Sequence, residues 1–390
     1  MSTRTMSEYQ YYEFRALERP LDHATMAKLR GITSRAEITP TSLVNEYHWG
    51  DFKGNVKKLM EEHFDAHLYL ANWGTHQLML RFPAKLLPLS VVEPYTTGNG
   101  TRAWATETHT LIDFLSHAED DYEWTEGTGQ LGPLLRVRDE LLAGDLRALY
   151  IGWLAALDSD GGVDEDTVEP PVPPGLRKLT AAQLDLMTYL RVDGDLFEVA
   201  AAHSGADAPA GPSTAQLATW VAGLPDGEKN AALVRLLEGE GATVATDLLS
   251  RFRAAARATL PGAGAAAPRR TVGELQEARK ALAEKNRRLE AERKAKEAAQ
   301  AARERAAARE RHLDALAGKE TGLWREVETA VGSKLPKQYD HAVQLLTDLR
   351  DLAVRAGTEA EFARRIGALR EQHRKKPSLQ ERLDKAGMPN

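Results

Sequence analysis

The chain has 390 residues, with 51 Lys+Arg against 57 Asp+Glu and no cysteine. That length allows two or three domains, and the missing thiols exclude disulfides, thiolate metal sites, iron–sulfur clusters and cysteine nucleophiles together. No stretch approaches the roughly 18 apolar residues that span a bilayer, and residues 1–12 lack a signal peptide's apolar core, so a soluble, cytoplasmic protein is expected.

Core-building residues crowd the N-terminal part, where five of seven Trp and eight of ten Tyr precede residue 155. Residues 9–17 (YQYYEFRAL) alternate as a half-buried strand does, and Pro20-Leu21-Asp22 opens a helix to about Ile32. Arg35 to Tyr47 reads as one extended run rich in β-branched residues, followed by a turn between Gly50 and Gly54. Asn55 is placed to cap a helix carrying Val56, Leu59, Met60, His63 and Phe64 at helical spacing. Strands are expected at His67–Trp73 and Gln77–Phe82, joined at Gly74-Thr75, and again at Arg102–Glu107 and Thr110–Leu115. These make an α+β domain over residues 1–126.

From Leu131 the pattern is helical. Helices are expected at about 131–142, 145–157, 180–190, 195–203, 213–222, 226–238 and 242–259, forming a helical domain over 131–260. Within it an acidic, proline-rich loop at 158–175 holds Asp158, Asp160, Asp164, Glu165, Asp166 and Glu169 without a basic residue. It runs into Pro170-Pro171-Val172-Pro173-Pro174, read as a stiff spacer. A hinge at 261–270 (PGAGAAAPRR) precedes a long charged helix at 271–317, on the order of 65–70 Å at 1.5 Å per residue. Leu275, Leu282 and Leu289 repeat every seven residues for barely three heptads, which leaves open a short coiled coil, an isolated charged helix, or a helix docked on its own N-terminal body. Residues 318–390 form a small C-terminal helical module of three or four amphipathic helices, with Pro336 and Pro377 at helix starts.

Charge divides near residue 269. Residues 1–268 carry 23 basic against 37 acidic residues, and residues 269–390 carry 28 against 20. This split suits a chain that holds partners better than a compact enzyme.

The blocks Tyr11–Leu21, Ser34–Gly54 and Asp65–Pro83, with Trp220–Gly241, resemble a family of uncharacterised bacterial proteins over residues 9–260. The tail, Trp324 to Met388, is similar to the C-terminal module of bacterial SWIM-type zinc-finger proteins. That resemblance implies a shared interaction module. It does not carry zinc binding, because the finger needs cysteines this chain lacks.

The segment Asn45–Gly54 gathers Glu46, His48, Trp49, Asp51 and Lys53 into one loop able to recognise a ligand by stacking and hydrogen bonding; the bland alternative is a glycine turn with packed aromatics and rim charges. His63 and His67 at i and i+4 would share a face of a continuous helix, but they straddle an expected helix end and no HExxH accompanies them, so no metal and no cofactor is assigned. Catalytic residues are not assigned either, since no G-x-S-x-G elbow, P-loop or G-x-G-x-x-G is present. A basic surface is expected from Arg287, Arg288, Arg293 and Lys294 on the long helix and from Arg374, Lys375 and Lys376 in the tail. Together these features imply a non-enzymatic cytoplasmic adaptor or scaffold for protein partners, with no membrane contact; weak self-association through the long helix stays open with the coiled-coil alternative. The alternative is a nucleic-acid-associated protein using the basic helix and tail.

Overall fold

The computed structural model describes residues 8–117, 126–157, 162–205, 214–239, 269–333 and 335–389, with a few more between 241 and 255. Trp124, Asp158, Asp160, residues 261–268 of the expected hinge and much of the expected helix at 242–259 lie outside them. The chain forms two compact units, Met1–Lys285 and Asn286–Asn390.

The first unit is built on seven antiparallel strands in the order β2-β3-β1-β4-β5-β7-β6. They are β1 (Gln10–Arg15), β2 (Glu37–Thr39), β3 (Ser42–Tyr47), β4 (Ala66–Ala71), β5 (Thr75–Pro83), β6 (Thr101–Ala105) and β7 (His109–His117). The run expected as one strand from Arg35 to Tyr47 is a hairpin, because Pro40-Thr41 turns the chain and pairs Thr39 with Ser42. Proline offers no amide to a ladder and presets a turn dihedral.

Register places alternate side chains on two faces. Tyr11, Leu68, Leu70, Leu78, Leu80 and Phe114 form one face. This face shares a single apolar cluster with the helices α4 (Leu131–Leu142), α5 (Arg147–Ala156), α6 (Ala181–Tyr189) and α7 (Gly194–Ala201). Helix α5 is buried at every residue from Ala148 to Ala156, as its continuous apolar run requires. It lies so close to the sheet that a Cβ at Gly152 would stand 2.3 Å from Phe114, which leaves only glycine there.

The opposite face carries Phe14, Leu43, His67, Met79 and Leu111, packed with Leu29 of α1 (His23–Ile32) and with Leu59 and Met60 of α2 (Val56–Glu62). Asn55 caps α2, its Oδ1 accepting from Lys58 N at 2.9 Å. A single turn, α3 (Leu89–Val92), runs into a 3-10 turn at Glu93–Tyr95, and α8 (Thr214–Ala222) and α9 (Asp226–Leu237) complete the labelled helices before the long one.

His67 lies fully buried on this face, stacked on Phe14 at 4.1 Å between ring centroids, with Nδ1 3.0 Å from the Glu13 carbonyl oxygen and Nε2 without a hydrogen bond among the described residues. Burial holds its pKa at about 3. Below the unfolded value near 6.5, the unfolded chain binds a proton that the native imidazole refuses. Stability contributed by neutral His67 is therefore complete above pH 6.5 and lost as pH falls towards 3, at about 1.4 kcal/mol per pH unit. Urea unfolding at pH 7, 5.5 and 4.5 should show a shallower loss in His67→Phe than in the parent; equal slopes would assign acid sensitivity to other groups.

The long helix α10 (Val272–Leu316) begins inside the first unit. Val272 and Leu275 are buried in its core, and Glu169 N and Val272 N form backbone bonds to Arg270 O and Thr167 O across a short bridge. Leu275 is thus spent on the body and is not available to a coiled-coil seam, while Leu289 stands 53% exposed. The proline segment, read from sequence as a stiff spacer, is likewise fixed to the body: Tyr95 OH donates to Pro171 O at 2.9 Å and Ser204 Oγ to Pro173 O at 2.8 Å.

The second unit packs the end of α10, from Leu313, with α11 (Glu320–Gly332), α12 (Pro336–Ala356), α13 (Glu359–Gln372) and α14 (Pro377–Lys385) around Trp324, Val327, Leu346 and Ile366. Pro336 and Pro377 open their helices, and Gly357, at φ 67°, ends α12 in the left-handed conformation glycine adopts without strain. Buried Asp348 is met by Arg309 and by His312 at 3.0 Å, which fastens α10 to α12.

Candidate binding site

Beyond α1 and α2 the second sheet face continues into an open cleft. Gln10 and Tyr12 of β1, Tyr69 of β4 and Gln77 of β5 form its floor, and Glu8, Gly50, Asp51, Val56 and Trp73 its walls. Pairing brings Tyr12 opposite Tyr69 and Tyr69 opposite Gln77, which sets three side chains in a row across three strands.

The floor is held by one network. Tyr12 OH lies 2.9 Å from Gln10 Oε1 and 3.0 Å from Asp51 Oδ1, Tyr69 OH donates to Gln10 Oε1 at 3.1 Å, and Gln10 Nε2 donates to Gly50 O at 2.9 Å. The Tyr12 and Tyr69 rings are 4.6 Å apart, and Phe52 closes on Tyr12 at 5.2 Å. Burial is the first cause of the raised pKa values here: it pushes the Tyr69 phenol up to about 12 and the Tyr12 phenol higher still. Both phenols stay neutral hydrogen-bond donors across the physiological range.

The loop predicted to recognise a ligand divides into two sets. Tyr47 and Phe52 pack inward, while Glu46, His48, Trp49, Asp51 and Lys53 are exposed. Gly50, at φ 82°, lets the chain reverse between the two sets. Only Asp51 of the five candidates lines the cleft. Glu46 accepts from Thr128 Oγ1 at 3.3 Å, the His48 ring lies 5.7 Å from Tyr9, and Trp49, 65% exposed, carries the Arg35 guanidinium 4.0 Å above its ring. Gln10, Tyr12, Tyr69 and Trp73 were missed as site residues; the alternation in YQYYEF puts Gln10 and Tyr12 on one face and was the available signal.

His63 and His67 are not brought together as ligands. His63 caps the C-terminus of α2 and sits beside Glu62, whereas His67 belongs to β4 and is turned into the aromatic core. Among the described residues no group of three or more His and carboxylate side chains is placed to hold a metal ion.

Much of the expected basic surface is internally paired. Lys294 meets Glu290 at 2.8 Å and Arg293 meets Glu297 at 3.7 Å, each four residues apart along α10. In the tail Arg374 lies 3.4 Å from Glu371, and Lys376 Nζ donates to Val331 O at 2.8 Å beside the Tyr339 ring. Lys376 is thereby structural, whereas Arg287, Arg288, Arg293, Lys294, Arg374 and Lys375 are exposed, Arg287 and Arg288 with interaction partners of their own.

Comparison with protein-family models, with curated proteins and with solved structures finds no match to this chain.

Proposed function

We propose that this protein is a non-enzymatic cytoplasmic adaptor whose first unit engages a partner protein through the Glu46–Lys53 loop and the adjoining cleft. The observation that carries this reading is the exposed Trp49, held against Arg35 on a loop whose next residues are tied down: Asp51 Oδ1 accepts from Tyr12 OH at 3.0 Å and from Phe52 N at 2.7 Å. A large aromatic surface presented on a fixed backbone offers contact area at little ordering cost, as binding hot spots do. The cleft phenols, raised far from neutrality, suit hydrogen bonding better than proton transfer at pH 7. The C-terminal unit has its own core and is read as a second interaction module, in keeping with its resemblance to the SWIM-type tail.

Trp49→Ala should leave unfolding unchanged within about 0.5 kcal/mol, since the ring is mostly solvated. It should weaken partner capture by tenfold or more, as loss of a hot-spot tryptophan does. Tagged parent and variant, recovered from the native host with and without nuclease, supply the check. Partners retained equally by Trp49→Ala would remove this loop from the account. Partners lost on nuclease treatment would favour the nucleic-acid reading, which draws on the basic residues of the long helix and tail and predicts binding that falls steeply with salt.

A further inference from the structure

The cleft has a chemical character that narrows what it can hold. Two carboxylates, Glu8 and Asp51, line it, and none of its described lining residues is basic. Tyr12, Tyr69 and Trp73 add aromatic surface beside those charges. Asp51 is held through Oδ1 alone, by the Tyr12 hydroxyl and the Phe52 amide, so Oδ2 is left as an acceptor without a protein donor among the described residues. An anionic guest would meet like charge. An apolar one would strip water from Asp51, Glu8, Gln10 and Gln77 without replacing their hydrogen bonds. A cation on a long apolar stem satisfies both the carboxylates and the rings. The same chemistry operates two residues away in the sequence, where Arg35 lies over Trp49 at 4.0 Å.

We propose that this cleft receives a lysine or arginine side chain projected by the partner protein, with the cationic head paired to Asp51 and the methylene stem laid against Tyr69 and Trp73. This deepens the adaptor reading and rests on it for the identity of the ligand's carrier. An acidic first body, with 23 basic against 37 acidic residues before residue 269, complements such a partner at longer range.

The test uses the purified full chain labelled with 15N, titrated with acetylated and amidated Gly-Lys-Gly, Gly-Arg-Gly, Gly-Glu-Gly and Gly-norleucine-Gly. The signal is the Trp73 indole N–H, identified by its loss in Trp73→Phe. The lysine or arginine peptide should shift it saturably, the glutamate peptide should not, and norleucine should bind more weakly. Asp51→Asn keeps an oxygen for Tyr12 and should weaken the cationic peptide about two- to fivefold, the scale of an exposed ion pair. If that variant does not fold, Glu8→Gln and a rise in salt from 50 to 500 mM test the same charge, each weakening the cationic peptide. No shift with either cationic peptide, an equal shift with glutamate or norleucine, or affinity indifferent to these charge changes would overturn the assignment. Because no partner is present in this assay, failure here with Trp49-dependent capture intact removes the cleft's cation specificity alone, and the converse removes the adaptor reading.

Discussion

Replacing Asp65 with Ala is expected to cost the first unit about 3–5 kcal/mol, the range measured when one member of a buried ion pair is removed. The carboxylate is 1% exposed and is used at both oxygens. Arg81 reaches Oδ1 through Nη2 at 2.7 Å and Nε at 3.1 Å, while Leu17 N and Glu18 N donate to Oδ2 at 2.6 and 2.8 Å. Its loss strands a guanidinium that is itself 8% exposed, together with two amides at the exit of β1. Arg81 keeps the Glu61 carbonyl at 3.1 Å, which meets only part of that need. Urea unfolding followed by tryptophan fluorescence gives the number. Asp65→Ala/Arg81→Met should be less destabilised than Asp65→Ala alone, because the double change removes the uncompensated charge. A double variant as damaged as the sum of its parts would show that packing, and not charge, governs the site.

Glu169→Ala is expected to be of similar size and to act at the start of the long helix. Glu169 is 2% exposed. Its two oxygens receive Arg270 Nη2 at 2.7 Å and Nε at 2.9 Å, and the Tyr150 hydroxyl donates to the same carboxylate. Alanine leaves a largely buried guanidinium and a buried phenol facing an empty acceptor position, costing about 3–5 kcal/mol. Glu169→Gln, which keeps one oxygen, should cost less. Hydrogen exchange separates local from global effects: the Val272 amide, bonded to Thr167 O at 2.9 Å, should lose protection in Glu169→Ala. Unchanged protection there would mean that burial of Val272 and Leu275 suffices to seat the helix.

Local signals carried most of the architecture. The two-residue period of YQYYEF, the Asn55 cap and the Gly74-Thr75 turn each rest on neighbours in the chain, and each reappears as β1, the start of α2 and the β4–β5 hairpin. An N-terminal antiparallel sheet followed by helices, with one long helix at 272–316, was legible for that reason. The Arg35–Tyr47 hairpin was read as one strand because its turn is a bare Pro-Thr without glycine or asparagine to announce it. What the pattern could not reveal is pairing over distance. Glu169 reads as one more acid in a solvated loop until Arg270, 101 residues on, is found against it. The cleft is hidden likewise: Asp51 stands out in a loop dense with charge and rings, but Gln10, Tyr12 and Tyr69 join it only through the register of β1 with β4.

The middle of the long helix faces water on all sides: residues 290–300 and 302–308 are exposed throughout. Among the described residues no neighbour there fixes the identity of a side chain. Helix propensity and opposite charges four residues apart are the only demands, and Ala, Glu, Lys, Arg and Gln meet them interchangeably. Substitutions should accumulate freely in this stretch, whereas Val272 and Leu275 at one end and Arg309, His312 and Leu313 at the other are bound by contacts. Divergent versions of this chain should therefore be recognisable by the two ends of the helix and unrecognisable by its centre.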